Sequence, residues 1–500
     1  TIDDAVAGGD DSTDDNITLT AATSLTVNDD VVNNDGGNIS LTASDSGVAG
    51  DDLTVATGVS ITAAGGSGNI TLNAGDDVVF NGTAAVSAAG AGIVTVAADA
   101  GSVDASGAIT MADGSTVISG SGLIDLDATN DVTLGGLVTT GNVTIDTTNG
   151  QVLDGGDIDV EVAADTLTVN ASGGVGASAG LGADDALETT IATLNATTTN
   201  GTIQLDETDG ATLASVVAGG SGDVRIVSAA GDLDVQVVMA SGDLVALTAT
   251  AGSIADASAG EATNITAQDV ALRALTGVGD ASLDDSDLDL DVDNLAATTA
   301  TGDVSLSENA GLVVTTVDGL VGVSITAGGA GDDIPIREGA AAGADELRVL
   351  QAISNSGTGD ITIAAGGDSA SDDLDINANI TSGGGDILIV GFDDIDFSAT
   401  PTVSTTGTGT ITVHAGRTFD FAAGASAAGT GTTTANILEA AEYTIQTNSG
   451  DITLTANQNI ELDSISSTSG TVVVTADSDG TSTGAIIDTL AGESANIAAS

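Results

Sequence analysis

Cysteine, tryptophan and lysine are all absent from this 500-residue chain. Without cysteine there is no disulfide scaffold. His414 is the only histidine, so a Cys/His zinc site is excluded too. The only cations are five arginines, Arg225, Arg273, Arg337, Arg348 and Arg417, against 73 acidic residues, giving a net charge of −68. Five arginines cannot neutralise a row of phosphates inside such a field, so nucleic acid is excluded as a partner. Anionic membrane surfaces are poor partners for the same reason. No run reaches the roughly eighteen apolar residues of a spanning helix, so this segment does not insert into a membrane. Nucleophile elbows, phosphate loops and metalloprotease motifs are missing as well. Proline occurs twice, as Pro335 and Pro401, and aromatics make up 1 % of the chain.

A highly charged chain poor in aromatics invites a reading of disorder. Here the hydrophobic fraction is 41 % and the mean hydropathy +0.29. The apolar residues are also ordered along the chain. A glycine, then Asp, Asn or Thr, then Ile or Val, any residue, and a branched apolar residue recur throughout. Gly68-Asn69-Ile70-Thr71-Leu72, Gly222-Asp223-Val224-Arg225-Ile226, Gly359-Asp360-Ile361-Thr362-Ile363 and Gly450-Asp451-Ile452-Thr453-Leu454 are examples. Period-two alternation of this kind is a half-buried strand. The landmark glycines recur about every 20 residues in the clearest stretches. Between them lie second and third short strands, such as Asn459-Ile460-Glu461-Leu462 and Ser464-Ile465-Ser466.

One such unit cannot bury its own apolar face, whereas units stacked on one another can. The spacing therefore predicts an all-β chain, a right-handed parallel β-helix, with Val, Ile, Leu, Ala and Thr in internal columns. Gly and Asn are expected at corners that need positive φ. At about 4.8 Å per rung the whole chain would make a rod of roughly 120 Å. One continuous rod over 1–500 is the expectation. Gly/Ala-rich stretches near 171–186 and 422–434 are expected to be loops or rungs with a thin core.

The lines from Gly141 to Gly156, Gly222 to Val235 and Gly450 to Ala476 resemble the haemagglutinin-type repeats of large bacterial secreted exoproteins and filamentous adhesins. The likeness runs along nearly the whole chain. The resemblance implies an extracellular or cell-surface rod, with an outer-membrane transporter for the full-length protein. The cap and the translocator barrel of such proteins are not evident, so the chain reads as an excerpt of a longer one. The function expected is that of a non-enzymatic structural rod or adhesin stalk. The alternative is a subunit of a self-assembling extracellular fibre or surface layer, with cation-bridged lateral contacts and self-association or matrix contacts.

Acidic pairs are frequent, and a solvated surface with turn caps explains most of them. The alternative chemistry is Ca²⁺ held by carboxylates and carbonyls. The best candidates are Asp284, Asp285, Asp287, Asp289, Asp291 and Asp293, which alternate along a strand-like run. His414 is expected on the surface, opposite Val413. Phe392, Phe397, Phe419 and Phe421 are expected to stack in or cap the core.

Overall fold

The computed structural model describes residues 1–8, 15–156 except 101–105, 158–176, 186–260, 262–280, 286–339, 346–366, 373–420, 425–427, 431–480, 484–488 and 497–499. The described residues form strands and turns and no helix. They divide into two compact units. The first comprises Thr1–Gly231 with Val238–Ser241, and the second Asp232–Val237 with Gly242–Ser500.

In the second unit the chain visits three parallel ladders in a fixed order. The first carries Ile334–Glu338, Ile361–Ala365, Ile387–Gly391, Ile411–Ala415 and Ile452–Ala456, each paired with the next. The second carries Leu347–Val349, Leu374–Ile376, Ile395–Phe397 and Ile437–Glu439. The third carries Ile353–Asn355, Ile380–Ser382, Thr402–Thr405 and Thr444–Thr447. The first unit repeats the scheme. Ile39–Ala43, Ile70–Ala74, Val94–Ala97 and Ile124–Ala128 pair in one parallel ladder. Leu25–Val27, Leu53–Val55, Val78–Phe80 and Ile109–Met111 pair in another.

Register follows from the alternation. A slip of one residue would turn every apolar side chain out to water. Ile361, Ile387, Ile411 and Ile452 therefore stack in one column, and all are buried. Leu454 is buried beside Ile452, as the pattern requires. Phe397 and Tyr443 lie inside, ring on ring, with centroids 4.5 Å apart and planes 17° from parallel. Phe392 is half-buried, while the Phe419 side chain and Phe421 lie outside the described residues.

Positive φ occurs as expected at glycines such as Gly66, Gly90 and the landmark Gly302, but Gly450 has a different cause. Gly450 does not have positive φ. A Cβ on it would sit 1.8 Å from the carbonyl oxygen of Gly409, one rung away. The corner backbones stack in near contact, and only glycine fits there. The next residue of the motif makes a second column. The Asp360 N–H donates to Asp333 Oδ1 at 2.7 Å, and the Asp386 N–H donates to Asp360 Oδ1 at 2.7 Å. In the first unit the uncharged version runs through Asn16, Asn38 and Asn69, with N–H to Oδ1 distances of 2.8 Å at both steps. Each side chain thus caps a backbone donor on the neighbouring rung.

Among the described residues, two antiparallel hairpins cover outward faces in the second unit. Thr316–Val317 and Leu320–Val321 pair with each other. Val317 closes over Ala246, Ala271 and Ala296, which point out of the strands yet are buried. Arg273 ties the hairpin down by donating to the Asp318 carbonyl at 2.7 Å and to its carboxylate at 3.2 Å. The strand Thr418–Asp420 pairs with Ala425–Ala427 and lies against Ile361–Ala365 and Ile387–Gly391. Part of 422–434 is therefore strand. Of 171–186, Val175 bridges in parallel to Val152 and Ile203, and 177–185 lie outside the described residues.

Candidate metal centre

Among the described residues one group of acids has the geometry of metal ligands: Asp154, Glu161 and Glu188, all in the first unit. Asp154 follows the strand Val152–Leu153. Glu161 precedes Val162–Ala171, and Glu188 is the second residue of Leu187–Thr198. Those two long strands pair in parallel, with Val162 opposite Thr189, which makes Glu161 and Glu188 neighbours on adjacent rungs. The backbone locks them reciprocally. The Glu161 N–H donates to the Glu188 carbonyl at 3.1 Å, and the Glu188 N–H donates to Glu161 Oε2 at 2.9 Å. One carboxylate oxygen from each of the three acids lies within 4.8 Å of the others.

The site is electrostatically costly. Glu161 is 4 % exposed and Glu188 9 %. Burial pushes both carboxyls well above the ordinary range, and the nearby Asp154 carboxylate adds to the shift. The group can hold a metal ion through hard oxygen ligands. Behind it, Glu188 is in register with Asp206, whose carboxyl is also raised by burial.

Of the six aspartates named from the sequence, the four that lie among the described residues are not part of this group. Asp284 and Asp285 lie outside the described residues. Asp287 is buried and pairs with Arg337, Oδ2 to Nη2 at 3.4 Å. Asp289 is half-buried, and its N–H donates to Asn264 Oδ1 at 2.8 Å. Asp291 and Asp293 are exposed on the outer face of Leu288–Thr299, whose Leu288, Leu290 and Val292 point inward. The strand alternates as expected and spreads its acids along one face.

Asp154 and Glu161 end the acid-dense run Asp-Gly-Gly-Asp-Ile-Asp-Val-Glu. Glu188 was not legible without the register that folds it back. His414 points outward, opposite the buried Val413, as expected. It is half-buried, and burial, followed by the Arg417 charge, lowers its pKa to about 4. It shares an outward column with Ala364 and Val390, both buried.

No family model, curated protein or solved structure matches this chain.

Proposed function

We propose that the chain is a right-handed parallel β-helix acting as a non-enzymatic extracellular stalk, in the manner of the haemagglutinin-repeat exoproteins its motifs resemble. The observation that carries this reading is the economy of the repeat. In the motif Gly-Asp-Ile-x-Ile each residue has a structural task repeated from rung to rung. Glycine permits the close corner, Asp or Asn caps the next rung, and the branched residues fill the core. A unit of this kind adds length by adding rungs, because each rung contacts only its neighbours.

A stalk spaces a binding tip from a surface and has no substrate of its own. Electron micrographs of the isolated chain, together with an assay for cleavage of acidic polysaccharide, test this. Single unbundled particles and no turnover are expected. Side-by-side bundles would favour the fibre subunit, and turnover would return the chain to the enzymes.

A further inference from the structure

The long strands Leu187–Thr198 in the first unit and Leu288–Thr299 in the second are built alike. The Ile191 N–H donates to the Glu207 carboxylate at 3.2 Å, and the Val292 N–H donates to the Glu308 carboxylate at 3.2 Å. Thr198 Oγ1 donates to the Gly201 carbonyl, and Thr299 Oγ1 to the Gly302 carbonyl. Ile191 thus corresponds to Val292. The outer faces differ. In the second unit Val292 stands between the exposed Asp291 and Asp293, whereas in the first Ile191 stands between Thr190 and Ala192.

The uncharged face continues across the neighbouring rungs. Ile118, Val138, Ala163 and Thr190 are register partners on successive rungs and point outward. Ile118 is 36 % exposed and Val138 42 %. One rung earlier the same row holds Ser87. Against this row lies a groove of about 630 Å³, lined in part by Val138, Ala163, Ala164 and Ile191 and by the exposed Asp165 and Asp209. Loss of charge and gain of apolar residues on an outer face is the composition of an interface core.

The chemistry of the groove selects its occupant. Elsewhere in this chain outward apolar rows are covered by short extended segments. Val317 closes over Ala246, Ala271 and Ala296, and Thr418–Asp420 lies against the strands that carry the outward, buried Ala364 and Val390. The first cover is gripped by an ion pair, Arg273 to Asp318 at 3.2 Å. In the groove the sign on the host side is reversed, because it offers Asp165 and Asp209. A second copy would bring its own net charge of −68 against them. A sugar would meet no aromatic ring among the described lining residues. Ser119, Thr139 and Thr140 already donate their hydroxyl protons to the carbonyls of Gly92, Gly122 and Gly120.

We propose that this face of the first unit binds an extended, cationic peptide segment of another protein, with branched apolar side chains over Val138 and an Arg or Lys at Asp165 or Asp209. The proposal gives the chain a lateral binding site and does not depend on the stalk reading.

A phage-displayed library of random short peptides tests this, panned on the full chain at about 0.15 M salt. Counter-selection uses the full chain carrying Val138→Ser, which keeps the charge and repeats the residue that Ser87 already supplies to the row. Retained peptides should combine Arg or Lys with Val, Ile or Leu. Their synthetic versions should bind Val138→Ser about tenfold more weakly than the parent. Asp165→Asn combined with Asp209→Asn should also weaken them and should reduce their sensitivity to added salt. No peptide surviving the counter-selection, survivors without a cation, or unchanged affinity in the double variant would each overturn the proposal. A concentration-dependent dimer or a glycan-array signal that Val138→Ser removes would put a second copy or a sugar in the groove and overturn it equally. If Val138→Ser does not fold, the double variant, altered only at exposed positions, decides alone.

Discussion

Asn264 donates from its carboxamide to the Asp256 carboxylate across 2.6 Å. The same side chain donates to the Val235 carbonyl and accepts from the Asp289 N–H, so both its nitrogen and its oxygen are engaged. Asn264→Asp removes both donor contacts and sets two carboxylates face to face at a buried position. The loss should be about 1–3 kcal/mol or more, read as a lower denaturant midpoint. An unchanged midpoint would mean that this contact does not hold the rungs.

The corner column of aspartates predicts a stabilising substitution. Asp360 accepts from Asp386 and donates its N–H to Asp333, while burial and the neighbouring acids raise the pKa values of Asp333 and Asp360. Asn38 makes the same bonds without charge. Asp360→Asn keeps the acceptor and removes like-charge repulsion, so the melting temperature should rise. The rise should be larger at low salt, where screening is weaker. A fall in melting temperature at low salt would show that the charge itself is needed.

Glu308 supplies a pH dependence whose sign is fixed. Its carboxylate lies within hydrogen-bond reach of the N–H groups of Val292, Asn309 and Ala310. Burial nevertheless pushes its pKa up to about 8 from 4.5. The folded state therefore binds a proton more tightly than the unfolded state. Its contribution is fully present below the unfolded value and is lost as pH rises through the folded one. Stability should fall between about pH 5 and pH 8. Glu308→Gln should flatten that slope in melting curves taken across the range, and parallel slopes for the two proteins would contradict the assignment.

Glycine at the corners should be intolerant for a reason of contact. Gly450→Ala places a Cβ 1.8 Å from the Gly409 carbonyl oxygen, so a rung must shift. Gly329→Ala meets nothing closer than 3.5 Å and serves as the control. The first should lower stability by several kcal/mol, on the order of the largest single-site effects, and the second by less than about 1 kcal/mol. Comparable chemical melts for the two would remove close stacking as the cause.

Much of the strand pattern was legible because period two is a local signal. Ile452 and Leu454 are buried where alternation places them, and landmark glycines such as Gly450 stand in close contact with the neighbouring backbone. What alternation cannot supply is the identity of neighbours. The reason for glycine at Gly450 lies in Gly409, far off in sequence. The capping role of Asp360 lies in Asp386, and the acid group needs Glu188 brought beside Glu161 by strand pairing. Asp291 and Asp293 alternate along the sequence as a row of ligands would, and they are exposed on one strand face. The covering hairpins were also hidden. Outward alanines such as Ala271 look no different from inward ones until Val317 lies over them.

If the chain is a parallel β-helix, as proposed, its rungs are interchangeable and one whole rung can be removed. Deleting 359–384 takes out one member of each ladder, Ile361–Ala365, Leu374–Ile376 and Ile380–Ser382. Ile334–Glu338 would then meet Ile387–Gly391, with the same isoleucine columns in register. The deleted protein should fold, keep its β circular-dichroism signal per residue, and melt cooperatively. Global unfolding of that variant under conditions where the parent is native would contradict the account.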